Sequence, residues 1–89
     1  MKLKLKLLKP FKDSVGKSEL GINTNANNIE GLLIELSVKY PKLKSQIFDS
    51  KGRIAYSVNA IINSVPITDI KQKIKDNDEI TLFIPVGGG

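Results

Sequence analysis

Residues 27–41, NNIEGLLIELSVKYP, carry the longest helical pattern of the sequence. Their apolar residues recur at i, i+3, i+4, i+7 and i+11, which places them along one side of a helix. These residues are Ile29, Leu32, Leu33, Leu36 and Tyr40. Asn27 can cap the first turn, and Glu30 three residues later can complete a capping box. Pro41 stops the pattern, so we predict one long helix with a single apolar face.

Two strands are predicted before this helix. In residues 2–9, KLKLKLLK, leucines alternate with lysines. A period of two points the leucines to one face of a strand and the lysines to the other. Residues 17–23 form the second predicted strand, in a stretch punctuated by Gly16 and Gly21. The chain therefore begins with a half-buried strand that has a cationic outer face.

The second half of the chain predicts further strands. Residues 53–59, RIAYSVN, alternate again, with Ala55 facing outwards. The inward side chains of this predicted strand are Ile54, Tyr56 and Val58. The remaining elements are a short edge strand, one helical turn and a last strand, over residues 63–67, 69–74 and 80–84. Ile47 and Phe48, in the connection before these strands, are expected to tuck under the sheet.

Residues 76–78, Asp-Asn-Asp, read as a tight polar turn before the last strand. Asparagine tolerates a positive φ better than other residues with a side chain, so Asn77 is the predicted left-handed position. Asp76, Asp78 and Glu79 are acidic neighbours, but the spacing and glycine of a calcium-binding EF-hand loop are missing. We therefore predict no metal site.

The order strand, strand, helix, strand, short strand, strand predicts an α+β fold of two layers. A mixed sheet of four to five strands, with one long helix on one face, is the β-grasp (ubiquitin-like) arrangement. In it the first and last strands lie adjacent and parallel in the middle of the sheet. We expect a single domain over residues 1–84, followed by a flexible tail over residues 85–89.

Composition excludes several kinds of chemistry. The 89 residues include neither cysteine nor histidine, which removes disulfides, Cys/His metal sites and histidine-dependent triads. The net charge is +5, but Arg53 is the only arginine, so nucleic-acid binding is not expected as the main function. No apolar run approaches the roughly 20 residues that span a bilayer. We expect a cytoplasmic protein without membrane contact.

The last third of the sequence resembles the small subunit of molybdopterin synthase and related sulfur carriers. The resemblance lies in Val58-Asn59, in residues 74–80 (IKDNDEI) and in residues 85–89 (PVGGG). The ubiquitin-related modifier and the small archaeal modifier proteins are relatives with the same terminal Gly-Gly. Asn77 replaces the turn glycine of the family, and Gly87 stands where serine or alanine is usual.

The resemblance implies that the carboxylate of Gly89 is the reactive group. An adenylating enzyme of the ubiquitin-activating type would join it to AMP, using ATP and Mg²⁺, and the acyl-adenylate would become a thiocarboxylate. The tail, Pro85, Val86, Gly87 and Gly88, would thread the partner's active site, since glycines allow close backbone approach. The chain itself would be a carrier without bound cofactor, and no enzyme.

Phe83 is predicted to be the partner anchor, because it is a large apolar residue on the outward face of the last strand. Alternation places it beside Lys4 and Lys6 and near Ala55, so that an exposed aromatic ring would sit within a cationic rim. The alternative is that a loop simply covers Phe83.

Three functions follow from these features. The first is a sulfur carrier for molybdopterin (molybdenum cofactor) biosynthesis, acting through a larger synthase subunit. The second is a protein modifier that joins target-protein lysines, or a sulfur carrier for transfer-RNA thiolation. The third is a basic adaptor for RNA or acidic proteins, with the glycines inert. Pro85-Val86 before the glycines favours the first.

Overall fold

The computed structural model describes residues 1–85 and contains a five-stranded sheet with helices packed on one face. In chain order the elements are β1 (Lys2–Leu7), α1 (Phe11–Val15), β2 (Glu19–Asn23), α2 (Ile29–Lys39), a 3-10 helix (Pro41–Leu43), α3 (Lys44–Ile47), β3 (Asn59–Ile62), β4 (Val65–Pro66) and β5 (Glu79–Phe83). The strand order is β2-β1-β5-β3-β4. This topology confirms the predicted α+β, β-grasp fold.

The first and last strands lie side by side in the centre of the sheet and run parallel, as predicted. Leu5 pairs with Ile80 and Leu7 with Leu82 in their register, and all four side chains are buried. The strands β2 and β3 pair antiparallel with β1 and β5. The short β4 forms one edge of the sheet. Pro66 has no N–H to donate, and an edge strand tolerates this because one of its sides has no neighbouring strand.

The hydrophobic core lies between the sheet and α2. Burying a leucine or isoleucine side chain contributes about 1.5–3 kcal/mol, so the alternation in β1 and the apolar stripe of the helix together direct the chain to this arrangement. The fully buried residues of α2 are Ile29, Leu32, Leu33 and Leu36. Tyr40 is only partly buried, because it lies at the end of α2, just before the 3-10 helix. Ile47 is buried and Phe48 packs partly against the core, as predicted.

The cap of α2 is Asn28, and the prediction of Asn27 is wrong. The Asn28 Oδ1 atom accepts a hydrogen bond of 2.8 Å from the backbone N–H of Gly31. The carbonyl of Asn27 instead accepts from the N–H of Ile74 at 3.0 Å, which holds Asn27 outside the helix. Two adjacent asparagines offer the same capping chemistry, and this long-range contact selects between them.

The prediction of a strand over residues 53–59 is wrong. The N–H of Ala55 donates to the carbonyl of Ile47 at 2.8 Å, and Val58 N–H donates to the carbonyl of Ala55 at 3.1 Å. The first bond belongs to an isolated bridge between Phe48 and Ile54, the second closes a turn over residues 55–58, and β3 begins only at Asn59. Tyr56, predicted to face the core, is therefore 97% exposed.

The short helices were not anticipated, and one predicted helical turn is absent. α1 ends at Gly16, whose φ of 86° is the left-handed conformation that glycine adopts freely. Within residues 69–74 only Ile70 and Lys71 form a turn, in which the N–H of Lys71 donates to the Asp69 carboxylate at 2.7 Å, and Lys73 instead pairs with Asn28 in an isolated β-bridge. Such local side-chain bonds compete with the helical pattern.

The turn before β5 is held by a buried carboxylate. Asn77 has φ 69°, as predicted. Asp78, which is buried, accepts hydrogen bonds from the side-chain amide of Asn63 at 2.8 Å and from the N–H of Lys75 at 2.7 Å. Asn63 in turn accepts from the N–H of Glu79 at 2.9 Å. This network joins the turn after β3 to the start of β5.

We predict that Asp78→Ala lowers the free energy of unfolding by about 2–3 kcal/mol, because it leaves the donors of Asn63 and Lys75 without their charged acceptor. Asp13→Ala removes an exposed carboxylate from α1 and is the matched control, with an expected change below about 0.5 kcal/mol. Urea unfolding followed by circular dichroism measures both. Equal stability of the two variants would contradict the structural role of Asp78.

Candidate functional site

The face of the sheet opposite α2, called here the outer face, is formed by alternate residues of the central strands. β1 contributes Lys4 and Lys6, because Leu3, Leu5 and Leu7 point into the core. β5 and β3 contribute the residues between their buried positions, which are Glu79, Thr81, Phe83, Asn59 and Ile61. The registers of the strands then order these side chains into rows across the sheet.

One end of the outer face is charged and internally paired. The Lys6 Nζ atom lies 3.3 Å from the Glu79 carboxylate. Lys4 lies 4.0 Å from the same carboxylate and 3.7 Å from that of Glu19. These side chains are substantially exposed, so each pair contributes at most about 1 kcal/mol. The two glutamates nevertheless offset the two lysines, and this end of the face is not the cationic rim that the sequence predicts.

The other end of the outer face is apolar. Leu7 pairs with Leu82 and the N–H of Leu8 donates to the Leu82 carbonyl at 3.0 Å, so Leu8 lies beside Phe83. Leu8 is 50% exposed and Phe83 is partly buried. On the other side of β5, Phe83 pairs with Asn59. We call Leu8, Phe83 and Asn59 the tail-end row.

The predicted surroundings of Phe83 are therefore wrong in part. Lys6 belongs to the next row, opposite Thr81, and Lys4 to the row after that. Ala55 is outside the sheet, since its segment forms a turn instead of a strand. The sequence does hold a signal for Leu8: in KLKLKLLK it is the leucine that occupies the outward position where the alternation would place a lysine.

The chain leaves the sheet next to the tail-end row. β5 ends at Phe83, and the N–H of Ile84 donates to the carbonyl of Lys9 at 3.4 Å. Pro85 is exposed and is the last described residue. The predicted tail residues Val86, Gly87, Gly88 and Gly89 lie outside the described residues. The last described residue therefore lies at the same end of the sheet as the tail-end row.

Among the titratable groups of residues 1–85, Asp49 and Lys71 have shifted pKa values, and both lie away from the tail-end row. Hydrogen bonds from the backbone amides of Arg53 and Lys51 lower the pKa of Asp49, that from Arg53 being the larger cause. A hydrogen bond to Glu30, at 2.9 Å, raises the pKa of Lys71. Among residues 1–85 no group of three acidic side chains could hold a metal ion. Within the same residues, no helix has the length and apolar character needed to cross a membrane.

The family comparison covers almost the whole chain. A family model described as the ThiS family matches residues 5–89. The small archaeal modifier protein 1 of Methanosarcina acetivorans is 31% identical, with a TM-score of 0.80, over 99% of this chain and 96% of that chain. No curated protein matches the chain significantly.

Two further solved structures share the fold at lower identity. SAMP1 from Haloferax volcanii is 22% identical, with a TM-score of 0.84, over 100% of both chains. A chain in the complex of subunits 1 and 2 of the molybdopterin-converting factor from Helicobacter pylori is also 22% identical, with a TM-score of 0.63, over 100% of both chains. That relative is thus seen in a complex with a second protein subunit.

We predict that Leu8→Ala lowers the free energy of unfolding by less than about 1 kcal/mol, because half of the side chain is already in water. Leu82→Ala truncates the buried β5 residue whose carbonyl accepts from the N–H of Leu8, and it is expected to lower the free energy of unfolding by about 2–5 kcal/mol. Thermal and urea unfolding measure the difference. If both variants lose the same stability, Leu8 is a core residue and cannot serve as a binding surface.

Proposed function

Because this chain belongs to the ThiS family of ubiquitin-like sulfur carriers, we propose that the carboxyl group of Gly89 is adenylated by a partner enzyme and then converted to a thiocarboxylate. The observation that carries this proposal is the family match itself, which extends through the final glycines to residue 89. The folded domain supports it by directing residues 84 and 85 out of the sheet at an apolar surface.

The proposed chemistry divides between the chain and its partner. A free α-carboxylate is an anion at neutral pH and reacts poorly with nucleophiles. Attack of its oxygen on the α-phosphorus of ATP forms the acyl-adenylate and releases pyrophosphate. Hydrosulfide supplied by a sulfur donor then attacks the acyl carbon, AMP leaves, and loss of the S–H proton gives the thiocarboxylate. ATP, Mg²⁺ and the catalytic residues belong to the adenylating enzyme, and this chain contributes the carboxylate and the surface by which it is recognised.

Two destinations for the activated terminus are proposed. The first is sulfur transfer to the molybdopterin precursor, supported by the likeness to a chain of the Helicobacter pylori molybdopterin-converting factor complex. The second is conjugation to target-protein lysines, or sulfur delivery to transfer RNA. The 31% identity to the Methanosarcina acetivorans modifier supports the conjugation route. Both begin with the same adenylated Gly89.

We predict that intact-mass analysis of the protein purified from its native cells finds a fraction in which one oxygen is replaced by sulfur at the final glycine. Conjugates in which this tail is joined to lysine would assign the modifier destination. The test uses two variants in the same cells. Removing Gly88 and Gly89 is expected to abolish both products, while Gly87→Ser, which restores a residue usual in the family, keeps them. If wild-type cells that are active in sulfur transfer contain neither the thiocarboxylate nor the conjugates, the proposal is contradicted.

The tail-end row is proposed to be the main recognition surface for the adenylating enzyme. Its apolar residues, Leu8 and Phe83, flank the departure of the tail, and aromatic residues are enriched among interface hot spots. Phe83→Ala is expected to weaken binding by about 2 kcal/mol, or roughly 30-fold. Val38→Ala, which changes a 78% exposed residue of α2, is the matched control and should bind normally. Titration calorimetry checks both, and unchanged affinity of Phe83→Ala would remove Phe83 from the site.

A further inference from the structure

Tyr56 lies on an ordered turn and has no role in the tail-end row. Among residues 1–85 it is the most exposed large hydrophobic side chain, at 97%. The turn is closed by the bond from Val58 N–H to the Ala55 carbonyl, and the side-chain amide of Asn59 donates to the carbonyl of Ser57 at 3.1 Å. The exposed ring is therefore carried on a backbone that is fixed by hydrogen bonds on both sides.

A groove of about 330 Å³ lies between this turn and residues 67–70. Its apolar lining includes the buried core residue Val58 and four residues that pack only partly against the core: Ile54, Ala55, Ile67 and Ile70. Thr68 and Asp69 in the same lining are exposed. An apolar floor with exposed polar residues beside it resembles the centre and rim of a protein interface. We call Tyr56 and this groove the Tyr56 groove.

The Tyr56 groove adjoins the departure point of the tail. Asn59 lines the groove and pairs with Phe83 across an antiparallel ladder. In such a ladder the residues before Asn59 run beside the residues after Phe83. The turn that carries Tyr56 and the exposed Pro85 therefore share one end of the sheet. Leu8 lies on the opposite side of β5, so the tail departs between the two surfaces.

The length of the tail limits how far the partner's active site can lie from the end of the sheet. Four residues, 86–89, separate Pro85 from the end of Gly89, and an extended chain spans at most about 3.3–3.6 Å per residue. An active site that holds the Gly89 carboxylate must therefore come within roughly 14 Å of Pro85. At that distance the rim of the active site can reach the surfaces on both sides of the tail.

We propose that the Tyr56 groove is a second contact for the adenylating enzyme, and that it receives an apolar side chain from the rim of the channel that takes the tail. This inference rests on the proposed function. A tyrosine has only two side-chain torsions to order on binding and supplies a large contact area, and here its backbone is already held in a turn, which suits it to this role. The groove adjoins the tail-end row at Asn59, and a contact there would fix the domain's orientation about the tail.

The test is ATP–pyrophosphate exchange by the adenylating enzyme from the same genome, measured against the concentration of this chain. Tyr56→Ala is expected to raise the concentration for half-maximal exchange at least tenfold, with little change in the maximal rate, because the contact is remote from Gly89. Tyr56→Phe keeps the ring and should stay within about threefold of wild type. Ile34→Ala, on the exposed side of α2, is the remote control and should behave as wild type.

The outcomes separate this inference from the function on which it rests. If wild type supports exchange but Tyr56→Ala matches it, the groove contact is overturned and the carrier function stands. If Ile34→Ala raises the concentration for half-maximal exchange as much as Tyr56→Ala does, the groove contact is also overturned, because the effect is then not specific to the groove. If the wild-type chain supports no exchange at all, the proposed function fails and the groove contact falls with it. Circular dichroism of each variant establishes that it is folded.

Discussion

The parallel pairing of β1 with β5 is the constraint on which the rest of the structure depends. It brings the two ends of the chain together in the centre of the sheet, where the buried Leu5 and Leu7 meet Ile80 and Leu82. Since the strands are parallel, their carboxyl ends meet at the same edge. The end of β5, from which the tail departs, therefore lies beside Leu8, the first residue after β1. A strand that is buried on one face and paired on both sides gives the tail a rigid base.

The outer face divides along the strands into an ion-paired half and an apolar half. Glu79 lies within 4.0 Å of both Lys4 and Lys6, so these lysines are matched within the domain. Charges that are already paired and hydrated contribute little affinity, but they discourage association through the wrong part of the sheet. The tail-end row, at the other end of the face, is then the part of the sheet that is suited to contact a partner protein. The net charge of +5 therefore does not indicate that the outer face binds nucleic acid, since its two lysines are paired with glutamates.

Local patterns were enough to predict the helix, the central strands and the β-grasp order, because their periodicity is continuous and matches their burial. Alternation gave a wrong prediction where a contact between residues far apart in sequence determines the local structure. RIAYSVN alternates like a strand, yet its start pairs with residues 47 and 48 in an isolated bridge and residues 55–58 form a turn. The outward direction of Phe83 followed from alternation, but its neighbours did not, since they depend on the register between strands far apart in sequence. The outward direction of Leu8 could have been predicted from the alternation in KLKLKLLK, but its position beside Phe83 depends on the same register. The Tyr56 groove lies between two loops that no sequence pattern joins.

The central claim is that this domain presents its tail to an adenylating enzyme through the end of the sheet from which the tail departs. Amide and methyl NMR spectra of labelled chain, recorded as unlabelled enzyme and ATP are added, test it most directly. The account predicts that the resonances of Leu8, Tyr56, Asn59, Phe83 and Ile84 shift or broaden, while those of Ile34 and Val38 on α2 do not. Perturbations centred on α2, with the tail end of the sheet unchanged, would contradict it.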